Sequence, residues 1–245
     1  EFIFSVGVAS LLILSWLVPL HFLPWVSWHS EVLAFSTVFL LAWRDLLDVL
    51  KKGCSGLISF PVTALPLFAL GFIVGIQGAT GVVTFWGDVF TLGFYLALCV
   101  MCLALGFAFS RRARASGPDA CDGGNENPAL TLLAFTLTLG AFASAVVAFA
   151  QVFELWEHTG WINRMPQLRR PGGNLGQPNH LATLLLMGMV SLLFLYESRE
   201  LKALSSALIF GVLCTALAAT ESRTGVLSFL LLSGWWFVKN KRVGF

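Results

Sequence analysis

Eight mostly apolar runs follow one another along the chain, at roughly 2–20, 32–49, 57–76, 88–109, 129–150, 178–196, 202–219 and 224–238. Each is close to the roughly 20 residues that a helix needs to cross a bilayer. In the hydrocarbon core every backbone N–H and C=O must be paired within its own segment, which makes such runs helical. Only 11% of the 245 residues are charged and 57% are hydrophobic, whereas a soluble domain carries about 25% charged residues. Too little polar surface is available to enclose this apolar content in water. Ordinary soluble enzymes, nucleic-acid binders and disordered chains are therefore excluded. A net charge of +2 gives no reason to expect a polyanionic partner, so no nucleic acid. The expected fold is all-α: a polytopic transmembrane helical bundle of about eight spans, one transmembrane domain over 1–245.

The second run is the weakest, because Arg44, Asp45 and Asp48 must lie at or beyond the interface. In the third, Pro66 is expected to kink the helix by removing a backbone hydrogen bond. Eleven of the fifteen Lys and Arg residues fall after runs 2, 4, 6 and 8; the other four are Arg164, Arg169, Arg170 and Arg223. Basic residues collect on the cytoplasmic side, so both ends are expected there and runs 1, 3, 5 and 7 exit outward. Tryptophans at 25, 28, 86, 156 and 161 mark outer boundaries, and those at 43, 235 and 236 inner ones. Reporter domains fused after residues 115 and 200 are expected to report cytoplasm, and one after 165 the outer side; a cytoplasmic signal at 165 would overturn the span order.

Cys54 and Cys121 fall in cytoplasmic loops, and Cys99, Cys102 and Cys214 within runs, so no disulfide framework is expected. Cys99 and Cys102 form a C-x-x-C without further ligands, which favours packing over metal or redox chemistry. No cleavable signal peptide is evident. The chain begins at Glu1 and stops at Phe245 just past a run; it reads as the N-terminal part of a longer protein, expected to be inactive alone. Residues 110–128, rich in Gly, Pro and charge, read as a cytoplasmic connector.

The polar residues that chemistry could use lie on the outer side. The longest outer loop, 151–177, carries Arg164, Arg169 and Arg170 against the charge rule. An Arg-Arg pair, the glycines at 172, 173 and 176, and Pro178 opening run 6 are what an anion site at a helix N-terminus would use. A well-capped loop whose arginines pair with Glu154 and Glu157 is the other reading. Asn174, Gln177, Asn179 and His180 cluster where run 6 enters the membrane, and polar groups at such depth commonly face a cavity or a substrate path. Arg223 sits in a turn so tight that it must lie at the outer surface, either neutralised by Glu221 or available to a ligand. His21, Pro24, Trp25, His29 and Glu31, and then Gln77 and Asp88, add polar groups to the first and third outer loops.

The segment Arg169-Arg170-Pro171-Gly172-Gly173-Asn174-Leu175-Gly176-Gln177-Pro178-Asn179-His180-Leu181-Ala182-Thr183 resembles the signature of bacterial protein O-oligosaccharyltransferases. These pilin glycosylation ligases form part of the O-antigen ligase and polymerase superfamily. Pro19 to Trp25 with Glu31, and Gln77 with Gly87 and Asp88, are similar to that family's first and third outer loops. Ser222-Arg223-Thr224-Gly225 resembles the start of the superfamily's shared core, here 220–245. The resemblance implies transfer of a glycan from undecaprenyl diphosphate to Ser or Thr of a periplasmic protein such as pilin. It implies no metal and no cofactor, and a bacterial inner-membrane enzyme with its site facing the periplasm. The family's catalytic histidine lies in a periplasmic loop further along, so no residue here is assigned as the base. Arg169, Arg170 and Arg223 become the diphosphate candidates, and Asn174, Gln177, Asn179 and His180 the groups beside sugar or phosphate oxygens. Within the same chemistry the alternative is an O-antigen ligase or polysaccharide polymerase with a carbohydrate acceptor. From another class the alternative is a transporter, which should place polar groups near span centres rather than at outer ends.

Overall fold

The computed structural model describes residues 2–19, 28–51, 61–115, 128–155, 160–163 and 170–243. Eight α-helices run through them: α1 (Phe2–Leu17), α2 (Trp28–Lys51), α3 (Leu65–Ala79), α4 (Trp86–Ala115), α5 (Pro128–Val152), α6 (Pro178–Glu197), α7 (Ala203–Ala219) and α8 (Arg223–Val243). Each overlaps one of the eight apolar runs, and every regular element among the described residues is helical. The stretches 62–79, 86–111, 128–152 and 178–197 are long and apolar enough to cross a membrane; 2–17, 203–219 and 223–238 are apolar but shorter. Large side chains such as Phe72, Phe90, Leu204 and Leu231 stand exposed on these helices. That exterior is the mark of a membrane protein.

Two expectations need correction. Pro66 does not kink α3, because the helix starts at Leu65 and the proline occupies its first turn, where a missing N–H costs no intrahelical bond. The connector expected from residue 110 starts later, since α4 continues to Ala115; residues 116–127 lie outside the described part.

The chain divides into two compact units, residues 34–125 and residues 1–33 with 126–245. In the first, Phe35 of α2 meets the rings of Phe94 and Tyr95 on α4 edge-on, at 4.7 Å and 5.7 Å. Gly78 of α3 lies against Val89 and Trp86 of α4. Gln77 and Asp88 line a small pocket of about 70 Å³ with Val74, Val83, Val89 and Leu92.

The second unit is centred on α5 and α6. Ala141, Ala145 and Ala148 of α5 meet Leu181, Leu185, Met189 and Leu192 of α6, with Leu213 and Leu217 of α7 closing the core. Helix association in lipid relies on close van der Waals approach rather than on expulsion of water, which is why small residues line such seams. Thr138 also donates to the Gly188 carbonyl at 3.5 Å, an interhelical bond of a kind that averages about 0.6 kcal/mol in a bilayer. Trp16 of α1 packs against Gly140 of α5, where even a methyl group would collide with its ring. At the far end, the Trp236 indole of α8 donates to Glu197 of α6 at 3.1 Å.

Candidate functional site

The ends of α1, α5, α6, α7 and α8 that the charge pattern assigns outward meet at one end of this second unit, and hydrogen bonds tie them together. Gln151, in the last turn of α5, is fully buried. Its Nε2 donates to the carbonyls of Asn163 (2.8 Å) and Gly173 (3.0 Å), and its Oε1 accepts from the Gly173 amide at 2.9 Å. Gly173 can turn to meet it because its φ is +59°, a conformation that side chains disfavour.

Asn174 follows, 3% exposed. Its Nδ2 donates to the carbonyls of Leu17 (2.7 Å) and Trp161 (2.8 Å), and its Oδ1 accepts from the Asn163 amide at 3.0 Å. The carboxamide thus holds the loop to the end of α1, and it faces the frame rather than an open surface. Asn174→Asp keeps the acceptor but loses both donated bonds, leaving buried carbonyls unpaired at about 1–3 kcal/mol each. We expect its thermal midpoint in detergent to fall well below that of the parent; an unchanged midpoint would remove Asn174 from the frame.

Gln177 precedes α6 in extended conformation and makes no capping bond with its side chain. Gln177, Asn179 and His180 are all exposed. The next turn along, between α7 and α8, reverses through Glu221, whose φ of +50° is unusual for a residue with a side chain. Ser222 is buried there, 1% exposed. Its hydroxyl accepts from the Gly225 amide (3.1 Å), which caps α8, and donates to Asn179 Oδ1 at 2.9 Å. That last bond ties the first turn of α6 to the start of α8. Behind it, Arg170 Nε donates to the Thr220 carbonyl at 2.8 Å.

Two helix N-termini are therefore joined. Helix geometry leaves the first-turn amides of Asn179 and His180 on α6, and of Arg223 and Thr224 on α8, without intrahelical partners. Each N-terminus carries about half a positive charge. Arg223 is exposed, and among the described residues no carboxylate, Glu221 included, lies within ion-pair distance of it. With Glu221, Ser222, Val226, Leu227 and Leu230 it lines a wide-open groove of about 390 Å³ along the start of α8. Arg223 and the N-terminus of α8 above an apolar helix face suit an amphiphilic anion, with the Glu221 carboxylate at the same rim.

The structure thus brings together Arg170, Asn179 and Arg223 through the turn at 220–225, and puts Gln177 and His180 beside them on the same helix start. Arg169, Arg164, Glu157, His21, Pro24 and Trp25 lie outside the described residues. His29 and Glu31 fall in the first turn of α2, and Gln77 and Asp88 belong to the other unit. Gln151 and Asn163 were missed as framework residues. A glutamine ending an apolar helix is a signal that could have found the first, whereas nothing in the sequence marks the second. Among the described residues no group of three or more His, Cys, Asp or Glu side chains is placed to share a metal ion.

A family model described as protein glycosylation ligase matches residues 171–196, from the loop through nearly all of α6. A general O-oligosaccharyltransferase of Acinetobacter baylyi is 25% identical over 242 residues, covering 99% of this chain. The chain is thus similar to an O-oligosaccharyltransferase along nearly its whole length. It spans 39% of the length of that relative. No solved structure matches it.

Proposed function

We propose that this chain is the donor-binding part of a bacterial inner-membrane glycosyltransferase. The enzyme moves a glycan from undecaprenyl diphosphate to a Ser or Thr hydroxyl of a periplasmic protein, with pilin as one acceptor. The observation that carries the reading is the joined pair of helix N-termini with Arg223 lining an open groove along an apolar helix face. The likeness to a general O-oligosaccharyltransferase adds to it, and favours a protein over a carbohydrate acceptor.

In the transfer, the acceptor oxygen bonds to the anomeric carbon while that carbon's bond to the diphosphate oxygen breaks. The electron pair leaves with the diphosphate, and the hydroxyl proton passes to a base outside the residues assigned here. Negative charge grows on the departing diphosphate, where a guanidinium and oriented amides stabilise it most. Arg223 and the amides at the starts of α6 and α8 supply that field. Arg169 is proposed to reinforce it, and Gln177, Asn179 and His180 border the sugar or phosphate oxygens. Val226, Leu227 and Leu230 take the first isoprene units of the tail.

The test is transfer by the whole purified protein from undecaprenyl-diphosphate-linked glycan to an acceptor protein, read by mass spectrometry. Glycan on Ser or Thr supports the reading. Glycan found only on lipopolysaccharide core, when both acceptors are offered, would replace it with the carbohydrate-ligase alternative.

A further inference from the structure

We infer that Arg170 is a positioning residue that acts through the α7–α8 turn on Arg223, and is not itself a ligand of the diphosphate. The inference rests on the role proposed for Arg223. The two arginines stand at opposite poles of consecutive helices. Arg170 donates its Nε to the carbonyl of Thr220, the residue that ends α7. A helix C-terminus is its negative end, with carbonyls that lack intrahelical partners, so a guanidinium there is already matched in charge. Arg223 opens α8, the positive end, with no carboxylate in reach among the described residues.

Between them lies Glu221 with φ +50°. Such a conformation persists only where its surroundings hold it. Two side-chain bonds from outside the turn do so: Arg170 to the Thr220 carbonyl before it, and Asn179 with Ser222 after it. Thr220 is fully buried; its hydroxyl donates to the Leu217 carbonyl and accepts from the Ser222 amide at 3.3 Å, bonds that stay within α7 and the turn, so Arg170 is what ties the turn to the loop before α6. Losing Arg170 would leave the turn held by its own bonds to α7 but untied from the loop, and let the start of α8, with Arg223, shift against α6.

A double-mutant cycle in the whole protein separates this from direct contact. Transfer is measured under single-turnover and steady-state conditions for Arg170→Gln, Arg223→Gln and the double variant, per amount of inserted protein. Arg170→Gln alone is expected to lose roughly 10- to 100-fold, as for one charged-donor hydrogen bond. It should divide that loss between kcat and donor KM as Arg223→Gln does. In the Arg223→Gln background it should cost no more than about threefold further. Amide hydrogen exchange over residues 220–225 should quicken in Arg170→Gln.

Losses that multiply in the double variant would show that Arg170 touches the substrate independently and overturn the inference. So would unchanged exchange over 220–225. If Arg223→Gln transfers normally, the role of Arg223 fails; an Arg170→Gln defect that persists beside it then overturns the coupling as well. Should Arg170→Gln not accumulate, Arg170→Lys, which keeps charge but loses the planar Nε donor, takes its place in the same cycle.

Discussion

Arg223→Gln should accumulate in the membrane at the parent level and transfer almost no glycan. The guanidinium is exposed at the first position of α8 and lines the groove, with no carboxylate in ion-pair distance among the described residues. Were it a surface charge, its removal would cost about 0–1 kcal/mol and leave activity intact. Removing a donor aimed at developing charge costs about 2.7–4 kcal/mol, or roughly 100- to 1,000-fold in rate. The two magnitudes are far enough apart for one assay to decide. Arg223→Lys keeps the charge without the bidentate fork and should fall between. Near-normal transfer by Arg223→Gln would take Arg223 out of the site.

The second large effect is expected at Gly225, which touches no substrate in this reading. A Cβ built there lies 2.9 Å from Ala182 Cβ, 3.1 Å from Leu217 Cδ1 and 3.2 Å from Ser222 Cβ. Ala182 has no rotamer to yield with, so the backbone of α8 must retreat from α6. Gly225→Val adds two further methyl groups to that clash. Overpacking of this kind costs about 1–3 kcal/mol, which leaves the α5–α6 core standing. The bond from Ser222 to Asn179 would break first, since it spans the widened gap. A misplacement of about 1 Å at reacting groups can cost on the order of 100-fold. Gly225→Val should therefore insert but lose transfer by about that factor, with Gly225→Ala less affected. Full transfer by Gly225→Val would mean that the closeness of α8 to α6 has no part in function.

The helices were legible because their signal is long and additive. Each apolar run covers most of a helix, so errors at single residues do not matter. Pro66 shows the limit: its effect depends on whether it lies inside a helix or in its first turn, and hydropathy does not fix that boundary. The site was legible as a segment, 169–183, but not as a division of labour. Asn174 turns inward while Gln177, Asn179 and His180 remain exposed. That split follows from the left-handed Gly173 and from a glutamine 22 residues away, neither of which has a periodic signature. The tie between Arg170 and Thr220 crosses 50 residues, beyond any local pattern. Arg223 was legible for the opposite reason, since a turn of so few residues between two runs leaves it no place but the surface.

The central claim is that the groove lined by Arg223 holds the lipid diphosphate. It is tested most directly with a glycan-linked polyprenyl diphosphate whose first isoprene units carry a photoreactive group, irradiated with the whole protein in membranes. Mass spectrometry should find the label on Val226, Leu227 or Leu230. Excess unlabelled undecaprenyl diphosphate should abolish it, and Arg223→Gln should weaken it sharply. Labelling confined to other helices, or labelling of these three residues that neither competitor nor substitution reduces, would contradict the claim.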